Sequence, residues 1–402
     1  MSRFFFLRVF YYAFLNFIFF GFYWGTLIYL PYYFKQVGVS EARIGFLVSE
    51  ISLTTLIMIF PLGILSDRID AKKLFLSGAL IGIIFSLLLL KNGSVKGFEP
   101  YMFIFSLGTA MLSISLSAHF LKQIAESGRG SQSAIFNIGG LLGAGLGSEL
   151  SGQIIRHFGD AYLFWLTLGF AVLLFLGGLA LPKIKGIPFR ISEYKEDLQH
   201  PLSWILLFIV LIVASHTGFE HAGYTLLQTQ EIGLSPLQVG RIFLYISIWM
   251  SLVSYLSGRT YDRTSKPVLW AGLALLVSGI FQSASGYGQG FSDFFIYRAL
   301  HTAGDSFSSV LMLVIASMVF ARKRAGGAWA ILLLGRNLSD FIFANLAGQI
   351  NQELGFRAGF LISGIILFFA GILVIFVLRP FFWKEIKQIE ENKNLVDSKF
   401  TN

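Results

Sequence analysis

The sequence predicts an all-α membrane protein, with twelve transmembrane helices in two homologous six-helix bundles. Three observations carry this prediction: an internal repeat, the composition, and the placement of charge. The stretch Gly38-Val-Ser-Glu-Ala-Arg-Ile-Gly45 returns 195 residues later as Gly233-Leu-Ser-Pro-Leu-Gln-Val-Gly240. Gly63, Asp67 and Arg68 return as Gly258, Asp262 and Arg263 at the same offset. At an offset of 196, Ser151-Gly-Gln-Ile154 and Gly159 return as Ala347-Gly-Gln-Ile350 and Gly355. Apolar residues make up 55% of the 402, charged residues only 13%, and the mean hydropathy is +0.70. A soluble chain averages about 25% charged residues, so most of this surface must face lipid or protein.

Windows of about 20 apolar residues mark membrane spans. The first half reads as spans over 10–32, 44–65, 74–91, 100–121, 133–155 and 161–181. The second reads as 202–226, 239–258, 268–286, 293–320, 327–350 and 357–379. Periodicity is helical, without the in/out alternation of a membrane β-barrel. The expected units are an N-terminal bundle (1–182), a connector (183–201), a C-terminal bundle (202–380) and a tail (381–402). With both termini cytoplasmic, 22 of the 31 basic residues fall on the cytoplasmic side and seven on the other. That bias is a strong positive-inside signal. It also accounts for the net charge of +9 by attraction to anionic lipid, without nucleic acid. Arg3 and Arg8 precede an apolar run too long for a cleavable signal. With no cysteine, disulfides and thiolate chemistry are excluded.

Along the chain, the first span interrupts its apolar run with Asn16, Tyr23, Trp24 and Tyr29. Tyr23 and Trp24 suit a cavity that stacks a solute, and also an interfacial belt. Glu50 lies in the second span. Between spans 2 and 3 runs Gly63-Ile-Leu-Ser-Asp-Arg-Ile-Asp-Ala-Lys-Lys73, echoed by Gly258-Arg-Thr-Tyr-Asp262-Arg263. Span 5 carries Gly139, Gly143, Gly147 and Ser151, each four apart and so on one face. Span 11 has the counterpart Gly335, Ser339 and Ala347, and both stripes read as close-packing faces.

Charge inside a membrane costs at least about 2.5–3.5 kcal/mol per residue on insertion scales. The intramembrane charges are lopsided. The first half has Glu50, and Glu149 near a helix end where it is expected to be solvated. The second has His216, Glu220 and His221 in span 7, Arg298, His301 and Asp305 in span 10, and Arg336 and Asp340 in span 11. His216 with Glu220, His301 with Asp305, and Arg336 with Asp340 stand at helical spacing. These residues are the expected substrate or proton pathway, with Glu50, Tyr23 and Trp24 as further candidates. A nearby cation favours an ionised carboxylate, so an arginine beside Glu220 or Asp305 is a way to couple proton and solute. The alternative is a set of structural ion pairs that bundles spans 7, 10 and 11.

The six-plus-six pattern and the Gly63–Lys73 motif resemble the major facilitator superfamily (MFS), whose signature there is G-x-L-a-D-R-x-G-R-K. Gly63, Leu65, Asp67, Arg68 and Lys72 match, while Asp70 and Ala71 depart. Arg298-Ala-Leu-His-Thr-Ala-Gly304 is similar to the superfamily's R-x-x-x-G-x-G motif, normally found in helix 4. The resemblance implies that Gly63, Asp67, Arg68, Gly258, Asp262 and Arg263 form gates. Asp67 and Asp262 would face the starts of spans 5 and 11, at Gly130-Ser131 and Gly326-Gly327, when the cytoplasmic side is closed. It also implies a cavity lined largely by spans 1, 4, 7 and 10.

Two homologous membrane halves are the architecture of a machine that opens alternately to either side of a bilayer. The expected activity is secondary transport, by symport with protons, of a small organic solute by a monomer in the plasma membrane. A lipid or amphiphile flippase on the same scaffold is the alternative within transport. A polytopic enzyme or a transporter-derived sensor is the alternative from another class. No catalytic constellation, cofactor motif, ATP loop or metal-ligand spacing is present in the sequence.

Overall fold

A computed structural model describes residues 3–92, 97–123, 129–183, 201–264, 266–319 and 325–384. Among these the structure is helical, without strands. The first half comprises α1 (Arg3–Leu27, continued by a short helix Leu30–Gln36), α2 (Glu41–Arg68), α3 (Ala71–Asn92), α4 (Glu99–Leu121), α5 (Arg129–Phe158) and α6 (Leu163–Leu179). The second comprises α7, in two pieces (Pro201–Val213 and Ser215–Leu226), then α8 (Pro236–Thr264), α9 (Pro267–Ser285), α10 (Phe291–Val319), α11 (Ala325–Leu354) and α12 (Phe356–Leu373). The twelve expected spans are therefore present, several with longer ends. Most of the connector, the tail beyond 384, the side chains of Asp67 and Arg68, and those at the starts of α5 and α11 lie outside the described residues.

Nine stretches of the described residues are long and apolar enough to cross a membrane. Large apolar side chains stand exposed around the bundle, among them Phe14, Trp165, Tyr255, Phe369 and Phe376. In a membrane protein that surface meets lipid.

The repeat has a physical cause at several glycines. Gly38 and Gly233 have φ of 84° and 80°, and Gly159 and Gly355 have φ of 101° and 82°. These paired turns need the left-handed conformation that glycine adopts without penalty. The small-residue stripes also pack as expected. A Cβ on Gly139, Gly143 or Gly147 would meet the backbone of Ala13, Phe17 or Gly21, so α1 lies directly on α5. In the second half, Gly335 faces Val210 and Leu207, and Ser339 donates to the Leu211 carbonyl at 2.6 Å, so α11 carries α7.

The halves meet at the end of the bundle where α1, α5 and α7 finish and α2 and α8 begin. Two close crossings are made there by repeated glycines. A Cβ on Gly45 of α2 would stand 2.5 Å from the Ala344 carbonyl and 2.6 Å from Gly348 Cα of α11. A Cβ on Gly240 of α8 would meet the Ser148 carbonyl of α5, and one on Gly152 would stand 2.5 Å from the Pro236 carbonyl. Hydrogen bonds tie the same end. Tyr29 donates to the Pro236 carbonyl at 2.7 Å, Thr225 donates to the Ile28 carbonyl, and the Ala42 amide donates to Gln352 at 3.3 Å. At the opposite end, Gly63 and Gly258 have open space where a Cβ would stand, and Asp262 and Arg263 are exposed.

Candidate functional site

Below the sealed end lies a cavity of about 130 Å³. From α1 it receives Trp24, Leu27 and Ile28, and from α8 Phe243, Ile246, Ser247 and Met250. The polar wall comes from α7, α10 and α11: His216, Thr217, Glu220, His221, Tyr224, Arg298, His301, Thr302, Asp305 and Arg336.

The local build of α7 sets the first ligands of the network. The helix is interrupted at Ala214, and His216 Nδ1 turns back to the Val213 carbonyl at 2.7 Å. A carbonyl only accepts, so this nitrogen carries hydrogen and Nε2 points to Asp305 Oδ1, 3.5 Å away. His301 is set in the same way. Its Nδ1 lies 3.0 Å from the Ser278 carbonyl and 2.9 Å from that residue's hydroxyl, and its Nε2 faces Glu220 Oε1 at 3.3 Å. The two imidazoles stand 5.2 Å apart, edge to face. Each pair sets an imidazole Nε2 against a carboxylate oxygen, both at the polar wall.

Arg298 anchors the network. Its Nη1 donates to Glu220 Oε1 at 2.7 Å and to Gln282 Oε1 at 2.6 Å, and its guanidinium lies 5.1 Å from the centre of the Tyr224 ring. Only 4% of the residue is exposed. A buried charge of this kind is tolerated because it is paired and hydrogen-bonded. The expected helical pairs are thus redistributed. Glu220 and Asp305 pair across helices, because side chains directed into a shared cavity reach the facing helix. Arg336 and Asp340 alone stay together, at 3.9 Å, with Asp340 also accepting the Thr217 hydroxyl.

Trp24 lines the cavity, with its ring 5.4 Å from Phe243 and 5.6 Å from His221. Tyr23 stacks on Phe105 at 6.1 Å behind it. Glu50 does not join the network. It lines a separate pocket with Leu53, Thr54, Ile57, Met58 and Phe103. Glu149 corrects the expectation of a solvated group: it is 7% exposed, and Arg241 of the other half approaches it at 3.5 Å. The sequence offered no metal-ligand spacing, yet His216, Glu220 and His301 place one ligand atom each within 4.8 Å of one another. The Arg298 guanidinium on Glu220 sets a fixed positive charge against a metal ion there. Gln282, Ser278 and Thr217 escaped the sequence reading because it followed charge. The only signal was a lone polar residue in an apolar span.

A family model described as Major Facilitator Superfamily matches residues 12–219 and again 204–400. The chain belongs to this superfamily and is a multi-pass membrane protein of a family of transporters, not an enzyme. An MFS-type transporter of Methanocaldococcus jannaschii is 22% identical over 85% of this chain and 90% of its own length. The membrane sensor protein UhpC of Salmonella typhimurium is 21% identical over 47% of this chain and 42% of its length. The fold is shared with crystal structures of the nucleoside transporter NupG and the peptide transporter POT. NupG has TM-score 0.75 at 15% identity, over 92% of this chain and 98% of that one. POT has TM-score 0.75 at 15% identity, over 93% and 94%. It is also similar to the human organic anion transporter MFSD10, with TM-score 0.67 at 16% identity, over 91% and 99%.

Proposed function

We propose that this protein carries a small organic solute across the plasma membrane by alternating access, as a proton symporter with both termini cytoplasmic. The observation that carries this is the cavity itself. It lies between the halves, beneath a seal of glycine crossings at one end, with Gly63 and Gly258 standing clear at the other. The charge bias assigns the sealed end to the outside, so the cavity opens to the cytoplasm. Asp305 with His216, and Glu220 with His301 and Arg298, exchange the proton. Trp24 and Arg336 stand on the solute wall, with Tyr23 behind Trp24 and Asp340 beside Arg336. Gly63, Asp67, Arg68, Gly258, Asp262 and Arg263 act at the cytoplasmic gate.

The chain has no native cysteine, so single cysteines report access cleanly. Met250→Cys, on the cavity wall, is expected to react with a membrane-impermeant thiol reagent from the cytoplasmic face. Cysteine near Lys195 should label from that same face, and near Lys96 from the outside. Labelling of Met250→Cys from the outside alone would overturn the assignment. The likeness to UhpC favours a second reading, in which the scaffold reports solute occupancy. A sensor would bind solute without accumulating it in vesicles under a proton gradient.

A further inference from the structure

We propose that the solute is an organic anion with an aromatic or apolar body. Its carboxylate or phosphate group is taken by Arg336, and its body lies against Trp24. This rests on the transport reading and adds the chemical class of what is carried.

The cavity is divided by chemistry. The α1 wall presents Trp24, Leu27 and Ile28, and α8 adds Phe243, Ile246 and Met250. Trp24 and Phe243 stand 5.4 Å apart, tilted by 39°. No residue of the first half that lines the cavity is titratable. A solute filling this space therefore meets an apolar, aromatic surface on one side and all of its ionic contacts on the other.

The inventory of charge on the polar wall selects the sign. Glu220 is already engaged by Arg298 at 2.7 Å and faces His301 at 3.3 Å. Asp305 faces His216 at 3.5 Å. Arg298 is spent on Glu220 and Gln282 and is almost completely buried. Arg336 differs from all of these. Its side chain keeps 53% exposure while lining the cavity, and its nearest carboxylate, Asp340, stands 3.9 Å from Nε. Among the described residues it makes no hydrogen bond, and Asp340 is occupied by the Thr217 hydroxyl. A solute ammonium would find Glu220 held by Arg298, Asp305 facing His216, and two guanidinium groups. A solute carboxylate or phosphate would find a planar donor fork suited to bidentate contact.

The test uses the purified full-length protein in detergent with a matched set of probes. These are 3-phenylpropionate, phenyl phosphate, 3-phenylpropionamide, 3-phenylpropylamine and propionate, read by calorimetric titration and by thermal stabilisation. The two aromatic anions are expected to bind at least tenfold more tightly than the amide and the amine. Whichever anion binds more tightly identifies the group as carboxylate or phosphate. Arg336→Gln should lower their affinity tenfold or more, and Arg336→Lys should recover part of it. Trp24→Ala should weaken the aromatic anions and leave propionate unchanged. Equal or tighter binding of the amine or amide, no binding by any aromatic probe, or indifference to Arg336→Gln in a folded protein would overturn the proposal. Binding needs no translocation, so that result leaves the transport reading standing. A failure of alternating access would instead leave the anion preference intact.

Discussion

The two halves of the molecule share a scaffold and differ in what they bury. The mechanical features are duplicated. Gly45 and Gly240 each seat a helix of the other half, and the α5 and α11 stripes each seat the first helix of their own half. Gly108 on α4 and Gly304 on α10, 196 residues apart, each pack tightly on the preceding helix, at Gly78 and at Ala274. The chemistry is not duplicated. At the same offset from Gly304, the positions of Arg298, His301 and Asp305 correspond to Met102, Phe105 and Thr109. Arg336 and Asp340 correspond to Gly140 and Ala144. The charged wall of the cavity therefore comes from the second half alone, and the apolar wall from α1 and α8. Under the proposed function, the symmetric features would serve movement between two packings and the asymmetric ones recognition and coupling.

The largest effect is expected from pushing the second half toward the first. Arg298→Met leaves Glu220 without its cation in a buried setting, and breaking a buried pair costs about 3–5 kcal/mol. Thermal unfolding in detergent should show a severe loss. The double change Arg298→Met with Glu220→Leu should recover most of it, because it removes both charges. A double variant as unstable as the single would mean the charged wall supports the fold in some other way.

Asp305→Asn keeps the shape of its side chain and removes the titration. Proton-driven accumulation in vesicles should be lost while exchange without a gradient survives. Full accumulation by this variant would move the proton site to Glu220 and His301 and sharpen the contrast between the halves.

On the duplicated side, Gly45→Val should hold the seal apart. Overpacking of a close contact costs about 1–3 kcal/mol, and each 1.4 kcal/mol is tenfold in population. Accessibility of a cavity cysteine from the outside should rise accordingly. Unchanged accessibility would mean that the α2–α11 crossing does not seal the cavity.

Smallest is Asp67→Asn. A carboxylate facing a helix N-terminus contributes about 0.3–1 kcal/mol, so the closed cytoplasmic gate should lose population up to severalfold. Distances between the halves would report it, and an unchanged distribution in a folded protein would exclude the contact that the family resemblance implies for Asp67.

Much of this fold was legible in the sequence, because spans, stripes and turns are local patterns. Gly38 and Gly233 recur because both turns need positive φ, and Gly139, Gly143 and Gly147 recur because α1 lies on them. The charged residues of the cavity were also legible as a set, since charge in an apolar span is costly wherever it falls. Their partners were not. Glu220 meets an arginine 78 residues away, and only the placement of α7 opposite α10 at the cavity decides that. Gln282 and Ser278 carry no charge and stood out little from other polar residues in spans. Glu149 looked solvated because a helix end implies exposure, and nothing local says that Arg241 of the other half covers it.

Alternating access is tested most directly by measuring both ends of the bundle in one protein. One spin-label pair at Ala42 and Gln352 spans the sealed end, where the Ala42 amide and the Gln352 side chain lie 3.3 Å apart. A second pair at Lys72 and Lys266 spans the opposite end. The account predicts anticorrelated distributions: as pH or an aromatic anion shifts the population, the first pair lengthens while the second shortens. Two distributions that stay single and fixed, or that change in the same direction, would contradict it.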